Sequence, residues 1–176
     1  MPELRSIVDQ SAKRIKEELG EQDEWAAVAP ESQQIKRRIH EAVDTIFAVL
    51  ERKGDCRVFD QVEKGVIPLV FSLGRLFIAY FLTWRAEHSE RELDRASSEG
   101  FWQGEMQPRL LGTFFGKVRY WRTYVRDRNG GGFYPLDAAL ALTADGFSML
   151  VMGLVARLAT LVPFDQVTAL MLTFLL

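Results

Sequence analysis

Apolar residues recur at helical spacing through most of the first hundred positions. Ile7, Ala12, Ile15 and Leu19 share one face of residues 2–19, and Gly20 ends that run. Ile35, Ile39, Val43, Ile46, Phe47 and Leu50 do the same for residues 31–52, which Lys53, Gly54 and Asp55 close. Residues 58–97 read as one long helix, or as two with a kink near Pro68. The first part of that stretch is strongly apolar. Its second part, residues 85–95, is almost entirely charged, the pattern of a solvated helix held by pairs four residues apart, such as Glu87 with Arg91.

The period changes after Gly100. Gly104, Pro108, Gly112 and Gly116 interrupt any helix. Residues 117–125 then alternate as a strand, with Lys117, Arg119, Trp121, Thr123 and Val125 on one face and Val118, Tyr120, Arg122 and Tyr124 on the other. Residues 110–115 can pair with it through a turn near Gly116. Asn129 to Gly132 forms a second turn, and Phe133 and Tyr134 a short third strand. Residues 135–142 lead into a second helical region. Asp145 is placed to cap a helix over residues 147–161, Pro163 stops it, and residues 164–176 form a last helix. The expected fold is therefore mainly α with a small antiparallel β-hairpin or sheet. Long N-terminal helices fill residues 1–100, a β insert fills 101–137, and a C-terminal helical hairpin fills 138–176. The uncharged final ten residues predict that this hairpin is incomplete, and that its apolar surface is covered by chain beyond Leu176, by a partner chain or by a membrane contact.

Charge changes this picture at one place. Residues 109–128 hold six basic side chains (Arg109, Lys117, Arg119, Arg122, Arg126, Arg128) against the single acid Asp127. The whole chain carries a net charge of −2, so this segment's +5 leaves −7 for the rest. A concentrated positive field in an acidic protein attracts polyanions. Tyr120, Trp121 and Tyr124 lie among these cations, and ring faces can stack on bases. The candidate nucleic-acid-binding residues are Lys117, Arg119, Trp121, Arg122, Tyr124, Arg126 and Arg128.

Other chemistry is sparse. Cys56 is the only cysteine, and His40 and His88 are too far apart to form a helical ligand pair, so neither a disulfide nor a metal site is expected. There is no phosphate loop, nucleophile elbow or metal-ligand cluster, and the segment is not expected to be catalytic by itself or to hold a cofactor. The charged N-terminus has no apolar signal core, which points to the cytoplasm. Residues 65–83 are long enough to span a bilayer, but Arg75, Pro68 and Gly74 argue for a buried helix in a soluble bundle.

Several motifs carry a family likeness: Gly116-Lys117-Val118-Arg119-Tyr120, Arg122-Thr123-Tyr124, and Gly131-Gly132-Phe133-Tyr134-Pro135-Leu136-Asp137. Leu142-Thr143, Gly146-Phe147-Ser148, the run 155–161 and Val162-Pro163-Phe164 extend it. In these residues the chain resembles the N-terminal part of bacterial insertion-sequence transposases of the ISKra type, over about residues 105–176. The resemblance implies a DNA-binding front segment, truncated before a metal-dependent, ribonuclease-H-like catalytic domain that carries out DNA recombination. Many relatives have a zinc-binding cysteine pair where this chain has Arg126 and Asn129, so no zinc is implied here. DNA is the expected partner, and the apolar helices suit homo-oligomer contacts. The alternative reading is a helical protein–protein assembly module without a nucleic-acid role.

Overall fold

Helix packing and one sheet account for the architecture. A computed structural model describes residues 30–52, 59–163 and 166–167 of the chain. The expected helix over residues 2–19, Cys56 and most of the expected last helix lie outside these residues. The elements in order are α1 (Ser32–Arg52), α2 (Phe59–Glu87), α3 (Glu90–Ser98), β1 (Trp102–Thr113), β2 (Gly116–Arg126), β3 (Gly132–Phe133), α4 (Pro135–Ala139) and α5 (Met149–Ala159). The protein is mainly helical with a small three-stranded antiparallel sheet, in the order β1-β2-β3. It divides into two compact units, residues 1–80 and 81–176.

In the first unit, α1 buries Ile35 and Ile39 on one face, and Val49 with half-buried Ile46 packs against Leu69 of α2. That packing explains why α2 continues through Pro68. An internal proline removes one helical hydrogen bond and destabilises by about 3 kcal/mol, which buried apolar neighbours such as Leu69 and Leu76 offset. The expected kink at Pro68 is therefore absent as a helix break. The break falls instead at His88–Ser89. There the His88 ring bonds the Trp84 carbonyl at 2.8 Å and the Ser89 hydroxyl donates to the Ala86 carbonyl at 2.7 Å. Side chains that engage the last carbonyls compete with helix continuation. Arg85 and Glu92 then form an ion pair across the break, and Arg95 pairs with Glu99 at 3.2 Å.

The second unit is built on the β1–β2 ribbon. β1 is longer than its sequence suggests because it is an edge strand. Pro108, opposite Trp121, removes a donor only on a side where no continuous strand needs it. The turn consists of Phe114 and Phe115. It is closed by Thr113, whose hydroxyl donates to the Gly116 carbonyl at 2.8 Å and accepts from the Phe115 amide at 3.2 Å. Gly116 then starts β2 at φ +111°, a value glycine tolerates. The second turn forms as expected, with Asp127 accepting the Asn129 amide and the Asp127 amide donating to the Gly131 carbonyl at 2.8 Å.

The start of α5 corrects one expectation. Ser148, not Asp145, is the cap, accepting from the Val151 amide at 3.3 Å. The reason lies in the sheet. Gly112 donates to the Gly146 carbonyl at 2.7 Å and accepts from the Ser148 amide at 2.8 Å, so Phe147 bridges the free edge of β1. The helix can begin only after that bridge. Gly112 is required there, since a Cβ would lie 2.6 Å from the Phe147 ring.

Candidate nucleic-acid interface

Strand alternation splits the ribbon's cations into two groups. On one face of β2, Val118 and Tyr120 are buried and α4 packs over them. At the start of α4 stands Asp137, itself buried. Its carboxylate accepts from the Tyr120 hydroxyl at 2.6 Å, from Arg109 at 2.6 Å and from Arg122. Arg109 also donates to the Thr143 carbonyl and lies 3.4 Å from the Tyr120 hydroxyl. The Arg122 guanidinium sits over the Tyr134 ring at 3.4 Å, and Tyr134 donates to Gln107 at 2.5 Å. Arg109 and Arg122 side chains are only 9 % and 16 % exposed.

This is a scaffold cluster. Burial pushes the Tyr120 hydroxyl up, against the opposing pull of Arg109 and Arg122. Burial also pulls the Arg122 guanidinium down, and its Nε has no partner among the described residues. One carboxylate thus ties β1, β2, α4 and the loop at Thr143 together. Asp137 is a buried anchor for this cluster, and Arg122 is held inside the fold. Tyr124 packs against Tyr134 with ring centres 5.0 Å apart, while Arg126 lies 5.7 Å from the Tyr124 ring.

The other face is open at its Lys117 end. Lys117 is exposed, and Arg119, Trp121 and Thr123 are half-buried. Their cross-strand neighbours are Gly112, Leu110, Pro108 and Met106, of which Leu110 and Met106 are exposed. Trp121 keeps its ring nitrogen buried and without a hydrogen-bond partner among the described residues. Arg126 and Arg128 are exposed at the far end of β2. Among the described residues, Lys117, Arg126 and Arg128 form no ion pair with a carboxylate.

Of the seven candidate residues, then, Lys117, Arg126 and Arg128 are exposed, Arg119, Trp121 and Tyr124 are half-buried, and Arg122 is committed to the interior. Sequence reasoning missed the Arg109–Tyr120–Arg122–Asp137 cluster. The available signal was the odd–even pattern itself, which set Tyr120 and Arg122 on one face together with buried Val118. No group of three or more histidine, cysteine, aspartate or glutamate side chains is gathered as a metal site among the described residues. No family model, curated protein or solved structure matches the chain.

Proposed function

We propose that the β1–β2 ribbon is a DNA-binding element, the front segment of a protein similar to the ISKra-type transposases. The observation that carries this reading is the set of cations left outside the scaffold. Lys117, Arg126 and Arg128 stand against Asp127, a net of +2 in a chain whose total is −2. Lys117 and Arg126 stand at the two ends of β2, nine residues apart and therefore on opposite faces of the strand, roughly 30 Å from each other at the rise of an extended chain. One turn of duplex is about 34 Å, and the major groove admits a two-stranded ribbon. The motif that suggested the family also has a structural task, because Pro135-Leu136-Asp137 supplies the clamp that keeps the ribbon rigid. The catalytic domain of such proteins would lie outside these residues, and no chemistry is assigned to this segment.

Binding of a labelled duplex, followed by fluorescence anisotropy, tests the reading. Three phosphate contacts give a log–log salt slope of about −2.7, so affinity should fall roughly 40-fold between 50 and 200 mM salt. The triple variant Lys117→Glu, Arg126→Glu, Arg128→Glu should abolish binding while the protein stays folded. No binding at 50 mM salt, or binding that the triple variant leaves intact, overturns the proposal. Arg122→Glu is unsuitable for this purpose because it would dismantle the scaffold.

A further inference from the structure

The turn that joins β2 to β3 contains the chain's only asparagine, Asn129, and three glycines follow it. Residues 128–132 are all exposed. The Asn129 backbone amide is held by the Asp127 carboxylate, but its side-chain carboxamide forms no hydrogen bond among the described residues. Gly130 follows at φ +84°, with open space where a Cβ would stand. Two backbone bonds close the turn. The Asp127 amide donates to the Gly131 carbonyl at 2.8 Å, and the Gly130 amide donates to the Asp127 carbonyl at 3.2 Å.

An asparagine carboxamide carbon lies within reach of the next backbone nitrogen, and attack closes a five-membered ring. Holding the two groups on one short tether replaces a bimolecular encounter. Helices and sheets prevent this closure by pinning the backbone, and a side chain on the following residue crowds it. Here glycine brings no side chain and no sheet pins the turn. The hydrogen bond on the attacking nitrogen is the longer of the two, and the shorter one can persist when it opens, so the strands stay paired. Exposed turn bonds of this kind lie at the low end of local opening free energies.

We propose that Asn129 is a self-modifying site that deamidates in the folded protein. The Gly130 nitrogen bonds to the Asn129 Cγ, the Cγ–Nδ2 bond breaks, and the Gly130 amide proton leaves with that nitrogen as ammonia. Water then opens the cyclic imide. Cleavage between Cγ and the ring nitrogen gives aspartate. Cleavage at the main-chain carbonyl gives isoaspartate, with the backbone rerouted through the former side chain. Either product places a new carboxylate next to Arg128. Lys117, Arg126 and Arg128 against Asp127 then fall from +2 to +1. The reaction is independent of DNA binding, whereas its weakening of phosphate contacts rests on that reading.

Intact mass spectrometry of the full chain, aged in mildly alkaline buffer, tests the proposal. The protein should gain the mass of one acid replacing one amide, and peptide mapping should place the change at Asn129. An isoaspartyl methyltransferase should methylate the aged protein and not the fresh one. Asn129→Gln moves the carbonyl carbon one bond further along the side chain, and a misplacement of about 1 Å costs on the order of 100-fold. That variant should therefore gain no such mass over the same time. The folded chain should react within about tenfold of the rate in urea, because the exposed turn opens readily. An unchanged mass, a gain that survives Asn129→Gln, or a folded rate more than about tenfold below the unfolded one overturns the proposal. Asn129→Asp carries the new charge without the rerouted backbone and should lower the magnitude of the duplex salt slope by about 1. An unchanged slope overturns the effect on binding, whereas a fresh protein that binds no duplex fails the DNA reading and leaves the mass result standing.

Discussion

The two faces of β2 carry the same kinds of residue and meet opposite fates. Arg122 points to the side covered by α4, and there it is bound to Asp137 and stacked on Tyr134. Lys117 and Arg119 point to the other side, where Lys117 is exposed and Arg119 half-buried. Adjacent positions on a strand thus become either scaffold or surface, and the local count of positive charge cannot tell which. The deciding feature is a carboxylate 15 residues downstream of Arg122 in sequence, delivered by a five-residue helix.

The largest test of this contrast is Asp137→Ala. It would leave Arg109 and Arg122 buried without their anion, and breaking a buried pair in this way destabilises by about 3–5 kcal/mol. A urea unfolding curve should show that loss. A change below about 1 kcal/mol would mean that the covered face is as solvated as the open one, and the contrast would dissolve.

Tyr120 gives the next effect. Its hydroxyl donates to Asp137, and hydrogen bonds to charged groups are worth about 1.5–3 kcal/mol. Tyr120→Phe should destabilise by an amount in that range. The hydroxyl also has a pH signature. Burial raises its value above the ordinary tyrosine range near 10. In the unfolded chain the hydroxyl ionises near pH 10, whereas in the folded protein it stays neutral to higher pH. Its contribution is therefore complete below about pH 10 and is lost as pH rises through the higher folded value. Stability of the natural protein should fall above about pH 10 more steeply than that of Tyr120→Phe. Parallel curves would remove Tyr120 from the cluster.

How far the sequence carried these conclusions follows from the range of each interaction. α1 and the β1–β2–β3 order were legible because both rest on local periodicity and turn residues. The early start of β1 at Trp102 was hidden by Gly104, Pro108 and Gly112, which break helices but are tolerated on an edge strand. Ser148 was overlooked as a cap because the bridge at Phe147 depends on Gly112, 35 positions earlier. The Asp137 cluster joins residues separated by 15 to 34 positions, and nothing in local pattern specifies that pairing. Local pattern did not separate exposed Lys117, Arg126 and Arg128 from Arg122, which the fold commits to the interior.

The smallest effects on stability belong to the open face. Lys117 is exposed and forms no ion pair among the described residues, so Lys117→Ala should change stability by no more than about 0.5 kcal/mol. If it contacts phosphate, the same change should lower the magnitude of the salt slope for DNA binding by about 1. Trp121→Phe makes the complementary case. It removes a buried donor that has no partner among the described residues, so the loss of ring area is partly offset by relief of an unsatisfied group, and the protein should lose less than about 1 kcal/mol. Base stacking by the ring would then appear as weaker binding at an unchanged salt slope, since the indole carries no charge to exchange for a counterion. Lys117→Ala moving the slope while Trp121→Phe moves only the affinity would divide the work of the open face between charge and ring. A large stability loss from either would place that residue with Arg122 in the scaffold.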